Sequence, residues 1–275
     1  MRKSRWRPAP LIRLSIVLHV LALLLVIARP ALWHWALGGV TVNQVFLILA
    51  GLWPRSRWLG SNWTQLPAGA AARGEIALTI DDGPDPAVTP QVLDVLRRHS
   101  VHATFFCIGD KAAAHPDLCR EIVRRGHVLE NHSQHHRHTF AFMGHWRLMR
   151  ELQHAQDTLT AVAGRRPVFF RAPAGLRNPL LDLVLHRLDL QLVSWSVRGF
   201  DTRIADAGRV KDRLLGGLRP GSILLLHDGN AARTPAGIPV ILEVLPALLA
   251  AAVAADLKFV TLRQAGDDFK SQEAT

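Results

Sequence analysis

The sequence holds only two cysteines, Cys107 and Cys119, in 275 residues. Two thiols exclude a disulfide framework and a four-thiolate zinc site. Acidic residues are missing altogether from the first 73 positions, and the first one is Glu75. That stretch carries nine basic residues: Arg2, Lys3, Arg5, Arg7, Arg13, Arg29, Arg55, Arg57 and Arg73. The remaining 202 residues hold 24 basic and 22 acidic residues, close to balance. Most of the formal net charge of +11 therefore belongs to the N-terminal part. A nearly neutral folded domain lacks the basic face that a nucleic-acid partner requires. Apolar residues at 49% and charged residues at 20% exclude disorder as the overall state.

The mean hydropathy of +0.12 points to a membrane segment. Leu11 to Ala28 is apolar apart from Arg13, Ser15 and His19, and its 18 residues are near the minimum for a spanning helix. Arg29-Pro30 ends it. A second run, Ala31 to Trp53, is long enough to span and carries His34, Asn43 and Gln44. Trp33, Trp35, Trp53 and Trp58 lie near the run ends, where interfacial aromatics collect. A cleaved signal peptide is the rival reading, but no small-residue cleavage site follows Ala28. We therefore expect an anchor of one or two helices over 1–53 in a bacterial inner membrane. Two spans return the chain to the cytoplasm, with Arg55 and Arg57 on the side of the N-terminus and only Arg29 in the outer turn. One span puts the domain outside. The charge distribution favours the hairpin.

Residues 54–73 are rich in Pro, Gly, Ser and Ala and read as a linker. From there to about 265, short β-rich runs at 75–80, 102–108, 127–130, 167–171, 190–197, 222–226 and 258–262 alternate with helical patterns near 89–99, 112–125, 145–163, 179–187, 206–217 and 238–254. Seven strands separated by helices predict an α/β domain over 74–265 with a parallel sheet. Pattern alone does not separate a barrel from an open sheet. Residues 266–275 read as a tail.

The polar residues fall at strand ends. Strand 75–80 runs into Asp81-Asp82-Gly83-Pro84, strand 127–130 into Asn131-His132-Ser133-Gln134-His135-His136, strand 167–171 into Arg171-Ala172-Pro173-Ala174-Gly175, and strand 222–226 into His227-Asp228. That edge is where parallel α/β folds build active sites. His132 and His136 are spaced to share one side of a helical turn or compact loop. With one aspartate they make three protein ligands, the pattern of a catalytic zinc with an open fourth position. The second aspartate suits a general base, and His227 a proton donor to a leaving group. Singly, each piece has a plainer reading: Asp-Asp-Gly-Pro as a turn, His-x-x-x-His as surface, Arg171 as an ion-pair partner, and His227-Asp228 as a capping pair. Five histidines within 127–138 and the shared edge weigh against coincidence.

These segments resemble the motifs of the polysaccharide deacetylases, carbohydrate esterase family 4. Thr79-Ile80-Asp81-Asp82-Gly83-Pro84 is similar to the first motif, Asn131 to His136 to the second, Arg171 to Gly175 to the third and Leu225-Leu226-His227-Asp228 to the fifth, in family order. The resemblance implies a distorted (β/α) barrel of about seven strands and a metal-dependent N-deacetylase. It implies Asp81 as general base, held by Arg171, with Asp82, His132 and His136 as ligands of a divalent metal, Zn²⁺ foremost and Co²⁺ as an alternative. It makes His227 the general acid. Pro173, Ala174 and Leu225 would contact substrate, Ala174 through its backbone N–H and Leu225 at the acetyl methyl. The fourth motif departs: Trp195-Ser196-Val197 is followed by Arg198 where the family has Asp. That puts the carboxylate partner of His227 in question, with Asp201 a candidate. Ala174 also replaces a common aromatic.

The expected function is removal of an N-acetyl or other N-acyl group from an amino sugar of a bacterial envelope glycan. Two alternatives stand beside it: deacylation or deformylation of a lipid-linked sugar at the membrane, and an inactive, membrane-anchored glycan-binding barrel. The expected partners are a glycan or lipid-linked sugar and a membrane, with no nucleic acid and no protein partner predicted.

Overall fold

A computed structural model describes residues 5–266. Arg2 and Lys3 of the basic N-terminus, and all but the first residue of the expected tail, lie outside the described residues. The chain opens with two long helices, α1 (Pro10–Ala28) and α2 (Trp33–Leu52), joined by a 3₁₀ turn at Pro30–Leu32. Both are long and apolar enough to cross a membrane. At 1.5 Å per residue, the 19 residues of α1 reach about 28 Å, close to the apolar thickness of a bilayer. Leu14, Ile16, Val17, Leu21, Leu23, Phe46 and Ile48 are among the apolar side chains left exposed. The polar residues of the two runs meet each other: Asn43 Nδ2 donates to Ser15 Oγ at 2.8 Å, and Gln44 Nε2 lies 3.1 Å from His19 Nε2. Such bonds fasten helices where water does not compete.

The segment 54–73 is not a free linker. Trp63 forms a parallel bridge with Val193. Asn62 Nδ2 donates to the carbonyls of Pro54 and Ser56, and Ser194 Oγ donates to the Pro54 carbonyl. The short helix α3 (Ala68–Ala72) leads into the first strand. Composition suggested a linker because turn residues dominate; tertiary hydrogen bonds hold these turns against the domain.

The domain alternates β1 (Glu75–Asp81), α4 (Thr89–Arg98), β2 (Thr104–Cys107), α5 (Gly109–Ala114), α6 (Pro116–Arg124), β3 (Val128–Asn131), α7 (His145–Ala163), β4 (Phe169–Phe170), α8 (Leu181–Leu188), β5 (Gln191–Leu192), β6 (Val197–Arg198), α9 (Ala207–Leu215), β7 (Ile223–His227), α10 (Val240–Ala254) and β8 (Lys258–Phe259). The expected helix 112–125 is two helices, because Pro116 starts a new one. α7 follows its apolar spacing, burying Leu148, Leu152, Ala155 and Leu159, and stops at Gly164 in a left-handed conformation.

The strands are parallel, in the order β5-β4-β3-β2-β1-β7-β6, with β8 added to β1. The expected strand 190–197 divides. Its first part pairs with β4 and its last with β7, at opposite edges of the sheet. Only residues 193–196 separate the two parts, so the sheet must curl until one bent segment joins its edges. The result is a curled, incompletely closed barrel. Side chains alternate across it. Ile76, Leu78, Ile80, Leu224, Leu226 and Val197 face the surrounding helices, in one cluster with Val92, Leu214 and Leu248. Ala77, Phe106, Val193, Ile223 and Leu262 fill the interior floor. By the two-residue period, Thr79, Asp81, Leu225, His227 and Arg198 face the interior above that floor.

Candidate active site

Four strand ends and the loops beyond them bring the polar residues together. Asp81 is the last residue of β1. Arg171 Nη1 donates to Asp81 Oδ1 at 2.6 Å and to Thr79 Oγ1 at 2.8 Å. Its Nη2 and Nε donate to the carbonyls of Ser194 and Val193, and its guanidinium lies 4.2 Å over the Phe106 ring. Arg171 is buried, and burial pushes its pKa down while the Asp81 carboxylate opposes the shift. Four acceptors and an aromatic face leave this arginine one position, and that fixes Asp81.

Asp82 leaves the strand with φ of 70°, which turns its carboxylate away from that of its neighbour. In the loop after β3, Ser133 and His136 also take positive φ, at 66° and 48°. These turns fold the four-residue spacing back so that the two imidazole centroids lie 4.8 Å apart. His132 Nε2 lies 3.1 Å and His136 Nε2 3.2 Å from Asp82 Oδ1. One ligand atom from each of the three residues lies within 4.8 Å of the others. Two ligands of a tetrahedral zinc sit about 3.3–3.6 Å apart, so the set fits a small divalent cation. His132 Nδ1 is 2.8 Å from the Arg171 carbonyl, which fixes the tautomer and leaves Nε2 to the cluster. Burial alone would raise the Asp82 carboxyl; its hydrogen bonds to His132 and His136 outweigh this and hold it well below the usual range.

His227 ends β7, in register with Asp81. Its Nδ1 lies 2.9 Å from Asp201 Oδ1, and its backbone N–H donates to Asp201 Oδ2 at 2.7 Å. Burial pulls the imidazole pKa down, Asp201 pulls it up, and the net shift is upward. Leu225 is buried on the inward face one step below. Pro173 is buried, and Ala174 takes φ of 53° in the third loop.

The family model for polysaccharide deacetylase matches residues 68–193. The chain is 31% identical over 200 residues to a peptidoglycan-N-acetylglucosamine deacetylase of Bacillus cereus, covering 70% of this chain and 72% of that protein. The chain belongs to the polysaccharide deacetylase family. It is also 39% identical over 170 residues to a chitooligosaccharide deacetylase of Azorhizobium caulinodans, covering 58% of this chain and 79% of that one. A solved peptidoglycan N-acetylglucosamine deacetylase superposes with a TM-score of 0.66 at 29% identity, over 74% of this chain and 91% of that one. As a polysaccharide deacetylase the chain is a hydrolase of amide bonds on N-acetyl sugars, and the family depends on a divalent metal.

All four motif segments seen in the sequence converge. The departure in the fourth proves local: the partner of His227 is Asp201, brought in by the bend after β6, and Arg198 is a separate feature. His135 stands apart from the Asp82 cluster, with Nδ1 2.7 Å from Asp110 Oδ2 and its N–H on Glu151. Two neighbours of Asp82, Asn230 and Lys111, escaped sequence reasoning, and Asp228, read there only as part of the fifth motif, packs against the same loop. Asn230 Nδ2 donates to Asp82 Oδ2 at 3.1 Å, and Lys111 Nζ to the Asp82 carbonyl at 2.8 Å. Asp228 accepts from Thr89 Oγ1 at 2.5 Å and from the Gly229 N–H, and burial pushes its carboxyl up to about 7. A signal existed for Lys111: it follows β2, whose C-terminal end shares the same edge.

Proposed function

We propose that the chain removes an N-acetyl group from an amino sugar, with a divalent cation, Zn²⁺ foremost, held by Asp82, His132 and His136. The observation that carries this is the placement of that cluster beside Asp81–Arg171 and His227–Asp201 in one interior. When bound, the cation polarises the amide carbonyl and makes water a nucleophile near neutral pH. Asp81, kept in place by Arg171, accepts the proton of the attacking water. His227 donates from Nε2 to the departing amine, because Nδ1 is committed to Asp201. Leu225 supplies apolar surface for the acetyl methyl, and the Ala174 N–H is our candidate donor to the developing oxyanion. Acetate release from N-acetylglucosamine oligomers by the detergent-solubilised protein tests this. Chelator should abolish release, Zn²⁺ or Co²⁺ should restore it, and Asp81→Asn should lower it at least about 100-fold. Release indifferent to metal would sink the reading. The departure in the fourth motif motivates the inactive barrel, and the Asp201 carboxylate 2.9 Å from His227 Nδ1 supports the active reading instead.

A second reading, a lipid-linked sugar as substrate, has its own observation. The end of α2 sits on the third motif: Arg177 N–H donates to the Gly51 carbonyl, and Arg177 Nη2 to that of Ser56. Pro54 packs against Gly175, and Arg55 Nη1 donates to the Ser196 carbonyl. Asn178 holds the carbonyls of Ala141 and Met143, on either side of Phe142, which is 88% exposed. If both helices span, this loop and the mouth of the site lie beside the bilayer. Faster turnover of a lipid-linked N-acetyl sugar than of the soluble oligomer, in the same detergent, supports this; equal turnover removes it.

A further inference from the structure

Arg198 is the interior cation that the reaction above does not use. It is the last residue of β6, paired with Leu225 of β7. Its neighbour Val197 packs outward on Val210 and Leu214, so Arg198 faces inward with Leu225 and Thr79. The guanidinium lies 5.2 Å from the Trp195 ring centroid and 5.0 Å from that of Phe200. The same indole lies 5.9 Å from the Arg171 guanidinium, so two like charges share one ring. The interior carboxylates are committed elsewhere: Asp81 to Arg171, Asp201 to His227, and Asp82 to the two histidines. Arg198 Nε is buried without a hydrogen-bond partner, and among the described residues no carboxylate pairs with the side chain.

Asp201 and Asp81 offset its charge from a distance, but a part-buried arginine with no carboxylate in direct contact is unfavourable unless something else supplies one. Aromatic stacking holds the guanidinium by its faces and leaves its N–H edge for a planar or tetrahedral oxyanion. We infer that Arg198 recognises an oxyanion substituent, a phosphate or carboxylate, on the amino sugar being deacylated. This rests on the catalytic reading above and gives it a substrate class: acidic N-acyl amino sugars over neutral polymers.

The test compares wild type, Arg198→Ala and Arg198→Gln on a neutral N-acetylglucosamine tetramer, N-acetylglucosamine 1-phosphate, N-acetylmuramic acid and a lipid-phosphate-linked N-acetylglucosamine. Both variants should lower the ratio of kcat/KM on an acidic substrate to that on the tetramer at least tenfold, mostly through KM. Which acidic substrate shows the drop tells lipid-linked phosphate, soluble phosphate and carboxylate apart. Arg198→Gln keeps most of the side-chain volume, and thermal melting in detergent identifies a variant that has merely unfolded. Calorimetry gives a readout without turnover. The Zn²⁺-loaded Asp81→Asn protein should bind N-acetylglucosamine 1-phosphate or N-acetylmuramic acid at least tenfold more tightly than the same protein carrying Arg198→Gln. Equal affinity of the two proteins for these sugars, or a common fall in kcat on acidic and neutral substrates alike, overturns the inference. Arg198-dependent binding by a wild type that hydrolyses nothing would sink the catalytic reading and leave this one standing.

Discussion

His227 lies between opposing influences, and its ionisation is the most direct report on the site. Burial disfavours the imidazolium, Asp201 favours it, and Asp201 wins. With His227 as the proposed general acid, which works while protonated, kcat/KM should fall as pH rises through a pKa above the ordinary value near 6.5. Asp201→Asn removes the charge and keeps the shape. The alkaline limb of the kcat/KM profile should then move to lower pH, with activity at pH 8 lost more than at pH 6. An alkaline limb that stays in place would show that Asp201 does not set the acid. At the same scale, Gly229 is required by contact. A Cβ there would meet the Asp82 carbonyl at 2.1 Å and Lys111 Nζ at 2.8 Å. Gly229→Ala should displace Asp82 and weaken Zn²⁺ binding at least tenfold, as equilibrium dialysis against a zinc-buffered solution would measure.

Among the elements, α2 has the least ordinary role, since an apolar helix ends against the loop that follows β4, beside the proposed site. Gly51 permits the approach: a Cβ would lie 2.2 Å from the Arg177 carbonyl, whereas at Gly38 it would meet nothing within 4 Å. Gly51→Val should destabilise the protein by about 1–3 kcal/mol through overpacking, read as a lower melting temperature in detergent, while Gly38→Ala serves as a neutral control. If Gly51→Val melts like wild type, the hairpin is not seated as described. The β5 and β6 pair shows the other element-scale device. A single bent segment serves both edges of the sheet: its bend delivers Ser194 to Arg171, and the turn just after β6 delivers Asp201 to His227.

At the scale of the whole molecule, charge and topology bear on which side of a membrane the domain occupies. The hairpin puts Arg5, Arg7, Arg55 and Arg57 at the domain end and Arg29 at the far turn. If both helices span, the positive-inside tendency predicts a cytoplasmic domain end. A cytoplasmic domain would meet a lipid-linked or soluble precursor, and a domain outside would meet mature cell wall. Cys107 and Cys119 are buried and free, and burial raises both thiol pKa values, Cys119 to about 12. A cysteine at exposed Ala236 is therefore a clean reporter. In intact spheroplasts Ala236→Cys should resist a membrane-impermeant maleimide and react once the membrane is permeabilised. Labelling in intact cells would place the domain outside and return the polymer to consideration.

Local chemistry made much of this legible in the sequence. Strand and helix periods are short-range, so the α/β alternation and most element positions could be read directly; so could the two apolar runs, from composition and length. Asp81, Asp82, His132, His136, Arg171 and His227 were visible because parallel strands deliver their C-terminal ends to one edge. What remained depended on contacts between residues far apart in the chain. Periodicity could not show that 190–197 breaks to join two edges, because each half is extended and only its partners differ. Composition could not show that 54–73 is held down, because turn residues look alike in a linker and in a packed loop. The identity of the carboxylate beside His227, the isolation of Arg198 and the seating of α2 on the loop that follows β4 were decided by tertiary structure alone, since each is a distance between groups whose separation along the chain carries no information about it.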